Sequence, residues 1–308
     1  MKHTSTLLCF LFATIFTLAQ EEIIVLETPT GNIEGTLLLP SNENPPVALI
    51  IAGSGPTDRD GNSPGLKMDY LKMLAEGLNQ HNIASIRYDK RGIGASRIEG
   101  FNKDDLRFSH YIDDVKLWIS KIRDDTRFGD IIVIGHSEGS LIGMIASQDT
   151  SPNKFISIAG AGYTMLKTIR RQLGYQPPYI LTMSEPILEK LEKGQTVDST
   201  PPILNNLFRQ SIQNYLISTS KYDPAVEISK LQCPILVIQG TTDIQIEILD
   251  AEKLAESNSN SKLVIIDGMN HILKEADANR FLNLRTYGDP NLELKQGLIE
   301  KITKFIVE

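Results

Sequence analysis

Along most of the chain, short apolar runs alternate with longer stretches in which apolar residues recur at helical spacing. A run that is apolar throughout is typical of a strand buried on both faces of a sheet, whereas apolar residues three and four apart are typical of an amphipathic helix. Two runs flank Pro29-Thr30-Gly31, which indicates an initial hairpin. The predicted strands are Ile23–Leu26, Ile33–Leu39, Val47–Ala52, Ala84–Tyr88, Ile131–Ile134, Phe155–Ala159, Pro234–Gln239 and Lys262–Ile266.

The predicted helices fall between these strands, except in residues 163–222, where helical signals follow one another and are interrupted by proline pairs. Alternating strands and helices predict an α/β fold, with a mostly parallel central sheet and helices on both faces. We expect residues 20–162 and 223–308 to form this core, and residues 163–222 to form a helical lid over one end of the sheet. The predicted helices are Met68–Asn79, Tyr111–Ile122, Leu141–Ser147, Met165–Leu173, Pro186–Lys193, Ile203–Leu216 and Leu292–Val307.

Residues 1–19 have the pattern of an export signal. Lys2 gives a basic end, Leu7–Leu18 is apolar, and Thr17-Leu18-Ala19 has the spacing of a signal peptidase site. The apolar run is shorter than the roughly 20 residues of a membrane-spanning helix, and no second run of that length follows. We expect a mature chain that begins near Gln20 and is periplasmic or secreted, without a stable membrane anchor. A buried N-terminal helix is the alternative.

The composition excludes several classes of protein. With 41% hydrophobic and 22% charged residues, the chain has the usage of an ordinary globular protein. Its 31 basic and 38 acidic residues give a net charge of −7, and no basic block is present, so nucleic acid is not an expected partner. Two cysteines, Cys9 and Cys233, provide neither a disulfide framework nor a cysteine-based zinc site.

No motif points to a cofactor or a metal. Gly92-Ile93-Gly94 and Gly160-Ala161-Gly162 each lack the third glycine of a dinucleotide-binding fingerprint. Asp58–Asn62 resembles the start of a calcium loop, but the twelfth position is Asp69 rather than a glutamate. We interpret this segment as a solvated turn.

The most informative segment is a Gly-x-Ser-x-Gly pattern at Gly135, Ser137 and Gly139. The pattern alone is common, but here it follows a predicted strand and opens a predicted helix, as a nucleophile elbow must. The sharp turn needs the glycines, because side chains there would collide with neighbouring backbone. Ser137 is therefore the candidate nucleophile, and a Gly-Ser turn without chemistry is the alternative.

A serine hydroxyl needs a base, and the base needs an acid that orients it. Among five histidines, His271 is the best candidate because it lies in the polar loop after the last predicted strand. His136 is expected to pack away from the serine. Asp243 directly follows a strand, at the sheet edge where open α/β sheets place their sites. It is favoured over Asp267, which lies too close in sequence to face His271 comfortably.

In the chain order Ser137, Asp243, His271, these residues resemble those of an α/β-hydrolase of the exported esterase and serine aminopeptidase-like type. The resemblance implies that Ser137 is the nucleophile, His271 the base and Asp243 the acid. Four segments carry it, in order along the chain: Gly53-Ser54-Gly55-Pro56, similar to the oxyanion loop; Asp89-Lys90-Arg91-Gly92-Ile93-Gly94-Ala95-Ser96, similar to the D-x-R-G-x-G-x-S turn; the elbow Gly135–Gly139; and Gly240–Asp243 with Asn270-His271.

The same resemblance implies an oxyanion hole formed by the backbone amides of Ser54 and Glu138. Gly55 is the alternative to Ser54, because Ala52 stands where the family often has a histidine. Two roles stay open for the Glu138 side chain. It could pair with a nearby arginine, or it could bind a positive group of the substrate.

We therefore expect a serine hydrolase that cleaves a small-molecule carboxylic ester through an acyl-enzyme. One alternative is a serine aminopeptidase or amidase that uses the same residues, which the insertion and Glu138 would support. Another is a non-catalytic binding module, because a fold does not by itself imply an activity. No motif indicates the oligomeric state.

Overall fold

The computed structural model describes residues 20–98 and 102–308. Within these residues, eight strands form one sheet with the order β1-β2-β4-β3-β5-β6-β7-β8. The first two strands form an antiparallel hairpin, β2 pairs antiparallel with β4, and the remaining pairs are parallel. The strands are β1 Gln20–Thr28, β2 Gly31–Leu39, β3 Val47–Ile51, β4 Ala84–Tyr88, β5 Ile131–His136, β6 Lys154–Ile158, β7 Ile235–Gly240 and β8 Ser261–Ile266.

Helices cover both faces of the sheet, so the predicted α/β fold is confirmed. Alternate residues of β3 face opposite sides: Leu49 packs with α2 and α3, whereas Ile50 packs with α1 and α11. The described helices are α1 Tyr70–Gln80, α2 Phe108–Arg123, α3 Glu138–Thr150, α4 Met165–Gly174, α5 Pro178–Glu192, α6 Asn205–Phe208, α7 Gln210–Thr219, α8 Pro224–Ser229, α9 Ile248–Glu256, α10 Arg280–Leu284 and α11 Leu298–Val307, with 3-10 turns at Lys103–Asp105, Pro202–Leu204 and Arg285–Gly288.

Several helix bounds differ from the prediction. Helix α11 begins at Leu298 rather than Leu292, because Leu294 forms a β-bridge with Lys274 and the chain is extended there. Helix α5 begins at Pro178, with Pro186 in its interior; proline at the first helical position has no hydrogen bond to lose. Helices α8, α9 and α10 were not predicted. They are nine residues long or shorter, too short to show a clear period.

Between β6 and β7, residues 163–222 contain α4 to α7 and have an apolar cluster of their own. Their helical content agrees with the expectation, whereas their role as a lid stays a prediction. The predicted signal peptide, residues 1–19, lies outside the described residues. Among the helices of residues 20–98 and 102–308, none is both long and apolar enough to cross a membrane.

Candidate active site

The turn between β5 and α3 places Ser137 at the carboxyl edge of the sheet. Ser137 has φ 54° and ψ −120°, a left-handed backbone that costs a non-glycine residue about 1–3 kcal/mol. Its amide donates a hydrogen bond to the carbonyl of Ile158 in β6, 2.9 Å away. This bond from the neighbouring strand holds the strained residue in place and leaves its side chain half-buried.

The two glycines of the turn are required by close backbone contacts. A Cβ at Gly135 would lie 2.4 Å from the carbonyl oxygen of Gly139. A Cβ at Gly139 would lie 2.3 Å from the carbonyl oxygen of Ile51 in β3. The start of α3 is therefore pressed directly onto the ends of β3 and β5. As a result, its first amides point toward the space around Ser137.

His271 and Asp243 meet at the same edge, from the loops after β8 and β7. The imidazole Nδ1 donates to Asp243 Oδ2 at 2.8 Å, and both side chains are almost fully buried. The two loops are in close contact, since a Cβ at Gly240 would collide with the Met269 carbonyl. Asp267 is exposed and accepts instead from Thr241 Oγ1 at 2.9 Å. The structure thus brings Asp243, and not Asp267, to the imidazole.

The Asp243 carboxylate accepts hydrogen bonds from three donors besides His271. Oδ1 accepts from the amides of Gln245 at 2.7 Å and Ile246 at 3.0 Å, and Oδ2 also accepts from Gln239 Nε2 at 3.1 Å. Burial acts to raise the pKa of Asp243, but the neighbouring His271 and the two amides outweigh it and leave the pKa below its usual value. A permanently ionised carboxylate is what a histidine base needs to fix its tautomer.

Gln239 was not predicted as part of the site. A polar residue in the otherwise apolar run Pro234–Gln239 was the available signal. Its amide also donates to the Ile246 carbonyl at 3.0 Å, so it ties the Asp243 loop to β7.

His136 fixes the position of His271 through the backbone. Its Nε2 donates to the His271 carbonyl at 2.7 Å, and its Nδ1 accepts from the Tyr70 hydroxyl at 3.2 Å. With the Tyr70 hydroxyl as donor, both nitrogens are satisfied in the neutral ring. Burial, followed by the nearby His271, lowers the pKa of His136 to about 3. His136 therefore packs away from Ser137, as expected, and also anchors the histidine loop.

Ser137 and His271 lie on adjoining segments, because His136 directly precedes Ser137 and its ring centroid is 4.9 Å from that of His271. Within the described residues, no hydrogen bond joins the Ser137 hydroxyl to the His271 ring. Hydrogen bonds between nucleophile and base are often long before substrate binds.

The two expected oxyanion donors also flank Ser137. A Cβ at Gly53 would lie 3.1 Å from Ser137 Cβ, so the loop after β3 passes directly beside the serine. Ser54 is exposed, and Glu138 is the first residue of α3. In the described part of the chain, neither backbone amide donates a hydrogen bond. Both amides are available to a ligand, and their role stays a prediction.

The Glu138 side chain pairs with a lysine rather than with an arginine. Glu138 Oε2 lies 3.4 Å from Lys90 Nζ, and the two side chains are 3% and 1% exposed. Burial lowers the pKa of Lys90, and the Glu138 carboxylate opposes the shift. Burial and then the charge of Glu138 hold the pKa of Tyr215 well above its ordinary value. Lys90 was missed, although a lysine two residues after a predicted strand was visible in the sequence.

A cleft of about 660 Å³ lies beside the Asp243 loop. The helices of residues 163–222 line one side with apolar groups such as Ile169 and Leu173. Ile244 and Gln245, which directly follow Asp243, and Tyr287 line the other side.

The calcium-like segment is closed on itself. Asp58 Oδ1 accepts from the backbone amides of Asp60 and Asn62, and the Asn62 side chain donates from Nδ2 to Asp69 Oδ1. In residues 20–98 and 102–308, no cluster of three or more His, Cys, Asp or Glu side chains could hold a metal ion.

Comparisons with known proteins agree with this architecture. The family model described as serine aminopeptidase, S33, matches residues 67–277. A structure of Est1E from Butyrivibrio proteoclasticus with bound ferulic acid is 18% identical, with a TM-score of 0.62 over 92% of this chain and 98% of that one. The α/β-hydrolase GrgF from Penicillium sp. sh18 is 20% identical (TM-score 0.58, 82% and 91% covered), and the Pyrococcus furiosus esterase Pf2001 is 12% identical (TM-score 0.57, 94% and 92% covered). These similarities are of fold. No curated protein matches the chain.

Replacement of Gly135 by alanine should disrupt the elbow. The new Cβ would lie 2.4 Å from a backbone oxygen, so the turn must shift, and we expect Gly135→Ala to lower the free energy of unfolding by more than about 2 kcal/mol. Gly174→Ala is the matched control, because a Cβ at the end of α4 meets nothing within 4 Å. Urea denaturation of both variants measures the difference, and equal stabilities would contradict the packing described above.

The neutral His136 should make stability depend on pH. The pKa of His136 falls from 6.5 to about 3 on folding. Between these two pH values, His136 binds a proton in the unfolded chain but not in the folded chain. The contribution of neutral His136 to the free energy of unfolding is complete above pH 6.5, and it declines by up to ~1.4 kcal/mol per pH unit as the pH falls toward 3. His136→Gln keeps a donor for the His271 carbonyl but cannot be protonated. The difference in free energy of unfolding between wild type and variant should therefore shrink from pH 7.5 to 4.5; parallel curves would show that His136 is not held neutral.

Proposed function

Because the chain belongs to the serine aminopeptidase (S33) family and is an α/β-hydrolase, we propose that it is a serine hydrolase of carboxylic esters. The observation that carries the proposal is the buried bond between His271 and Asp243, at the sheet edge that also bears the strained turn of Ser137. A strained serine beside a histidine with an ionised partner is the arrangement that acyl transfer requires.

In the proposed reaction, the Ser137 hydroxyl oxygen attacks the ester carbonyl carbon while His271 Nε2 takes the hydroxyl proton. The amides of Ser54 and Glu138 donate to the negative oxygen of the tetrahedral intermediate. The C–O bond to the alcohol then breaks, and the alcohol leaves with the proton from His271. Water attacks the acyl-enzyme with His271 again as base, which releases the carboxylic acid and restores Ser137.

The surroundings of Glu138 favour an ester over a peptide. The family's description favours the alternative of an amide or peptide bond, and an aminopeptidase must bind the substrate's ammonium group. Glu138 was the candidate for that role, but its side chain is 3% exposed and bound to Lys90. A buried, paired carboxylate is not available to a substrate.

The cleft beside Asp243 is the proposed place for part of a small-molecule substrate. It is lined mainly by apolar side chains, as pockets for uncharged ligands are. Residues 163–222 form one of its walls, which supports the proposal that they act as a lid.

Export remains part of the proposal and rests on the sequence alone. The basic end, the apolar run Leu7–Leu18 and the small residue Ala19 support a mature chain that begins near Gln20 and is periplasmic or secreted.

Activation of Ser137 can be tested with a fluorophosphonate probe. We expect the purified protein to gain the mass of one adduct, because a serine activated by His271 attacks phosphorus as it attacks a carbonyl. Ser137→Ala should gain none and should lower kcat on an acyl ester by about 10³-fold or more.

Thr241→Ala is the control, because Thr241 lies at the same edge but its hydroxyl bonds the exposed Asp267 and the Gly268 amide rather than a residue of the site. It should keep the adduct. Full ester turnover by Ser137→Ala would refute the proposal, and a folded wild type that forms no adduct and turns over no ester would favour the binding-module alternative.

Ester preference can be measured by comparing acyl nitrophenyl esters with aminoacyl arylamides. With Glu138 engaged by Lys90, we expect kcat/KM to be higher for the esters by more than about tenfold, ~1.4 kcal/mol of transition-state stabilisation. Higher kcat/KM for the arylamides would instead support the aminopeptidase alternative.

A further inference from the structure

Lys90 places a cation beneath the candidate active site. It lies two residues after the end of β4, which pairs with β3, and its side chain runs across to the end of β3. There Lys90 Nζ donates to the carbonyl oxygen of Gly53 and lies 3.4 Å from Glu138 Oε2. With 1% of its side chain exposed, Lys90 is among the most buried charged groups of the described chain.

The bond to Gly53 fixes the peptide that carries the Ser54 amide. In a planar trans peptide, the carbonyl of one residue and the N–H of the next point in opposite directions. A donor that holds the Gly53 carbonyl on the inner side therefore turns the Ser54 N–H outward. Gly53 lies against Ser137, so the peptide that carries the Ser54 amide is next to the candidate nucleophile.

The bond to Glu138 fixes the second donor. Glu138 is the first residue of α3, and its side chain and its backbone amide belong to one residue. One ammonium group therefore contacts both segments that supply the expected oxyanion donors. Those segments, the loop after β3 and the start of α3, share no backbone hydrogen bond within the described residues.

A gain in folding stability does not explain why the Lys90–Glu138 pair is buried. Burying a lysine and a glutamate costs several kcal/mol per ion, which their attraction repays only with good geometry and full hydrogen bonding. Here the ion-pair distance is 3.4 Å, and the Tyr215 hydroxyl beside the Glu138 carboxylate makes no hydrogen bond of good geometry with it in the described part of the chain. The Tyr111 ring, 5.1 Å from Lys90 Nζ, adds only a cation–π contact. An incompletely satisfied buried pair beside a reactive serine indicates a role in the reaction.

We propose that Lys90 is a positioning residue that aligns the Ser54 and Glu138 amides as one oxyanion hole, through its contacts with the Gly53 carbonyl and the Glu138 carboxylate. The inference rests on the proposed function, because it assigns a role in the same reaction. Lys90 does not touch the substrate. Its effect lies in the transition state, where the negative oxygen forms, and not in the binding of the neutral ester.

The test is the double variant Lys90→Met/Glu138→Gln, compared with wild type on an acyl nitrophenyl ester. Both replacements are neutral and similar in size, so no buried charge is left unpaired. We expect kcat to fall about 10- to 100-fold, less than the 10²–10³-fold typical for deleting a donor, because both amides remain but are misaligned. KM should change less than about twofold, since ground-state binding is retained.

The control is a second buried pair, Arg91→Gln/Asp114→Asn, whose wild-type side chains bond each other one residue further along the chain. Asp114 lies in α2 rather than at the elbow, so this variant should lose thermal stability but keep kcat. If Lys90 had only a structural role, both double variants would lose thermal stability and keep kcat.

A folded Lys90→Met/Glu138→Gln variant with wild-type kcat would overturn the inference while leaving the proposed function intact. If that variant does not fold, Lys90→Met alone supplies the same comparison, because a buried glutamate can take up a proton and become neutral. A wild type without ester turnover or probe adduct overturns the proposed function, and the inference falls with it.

Discussion

The site depends on how closely the start of α3 approaches two strands of the sheet. Gly139 lies against the Ile51 carbonyl of β3, and Gly135 lies against the backbone of α3 itself. A turn this tight forces Ser137 into a left-handed conformation, and the bond from its amide to Ile158 in β6 stabilises it. Three adjacent strands therefore determine the position of the Ser137 hydroxyl, and the surrounding sheet holds the strained residue in place.

Around this fixed point, the histidine loop is held by contacts of two kinds. Asp243 orients the His271 ring, and His136 holds the His271 backbone. The two partners have opposite electrostatic requirements, since Asp243 must be ionised and His136 must be neutral. The neighbouring His271, together with two backbone amide donors, meets the first requirement, and burial meets the second. The pKa values of the two groups are accordingly displaced by different causes within the same few ångströms.

A further buried charge, Lys90, links two parts of the site that share no backbone hydrogen bond within the described residues. It connects the loop after β3 with the elbow, and the Tyr111 and Tyr215 rings close around it and Glu138. Because Tyr215 belongs to α7, the insertion and the core meet at this pair. Glu138 is therefore not available to a substrate. For this reason, its surroundings favour an ester substrate over a peptide or amide.

The local pattern of the sequence was sufficient to predict the strands and the candidate nucleophile. Apolar runs identified each described strand, and the Gly-x-Ser-x-Gly context singled out Ser137, because both signals arise from neighbours in sequence. Short helices such as α9 and the true start of α11 left no such period. The sequence also favoured Asp243 over Asp267, and the structure brings Asp243 to the imidazole. Tertiary structure alone made His136 an anchor and gave Glu138 a lysine partner. These outcomes depend on which strands lie side by side and on which groups lose water, and neither is set by the spacing of residues along the chain.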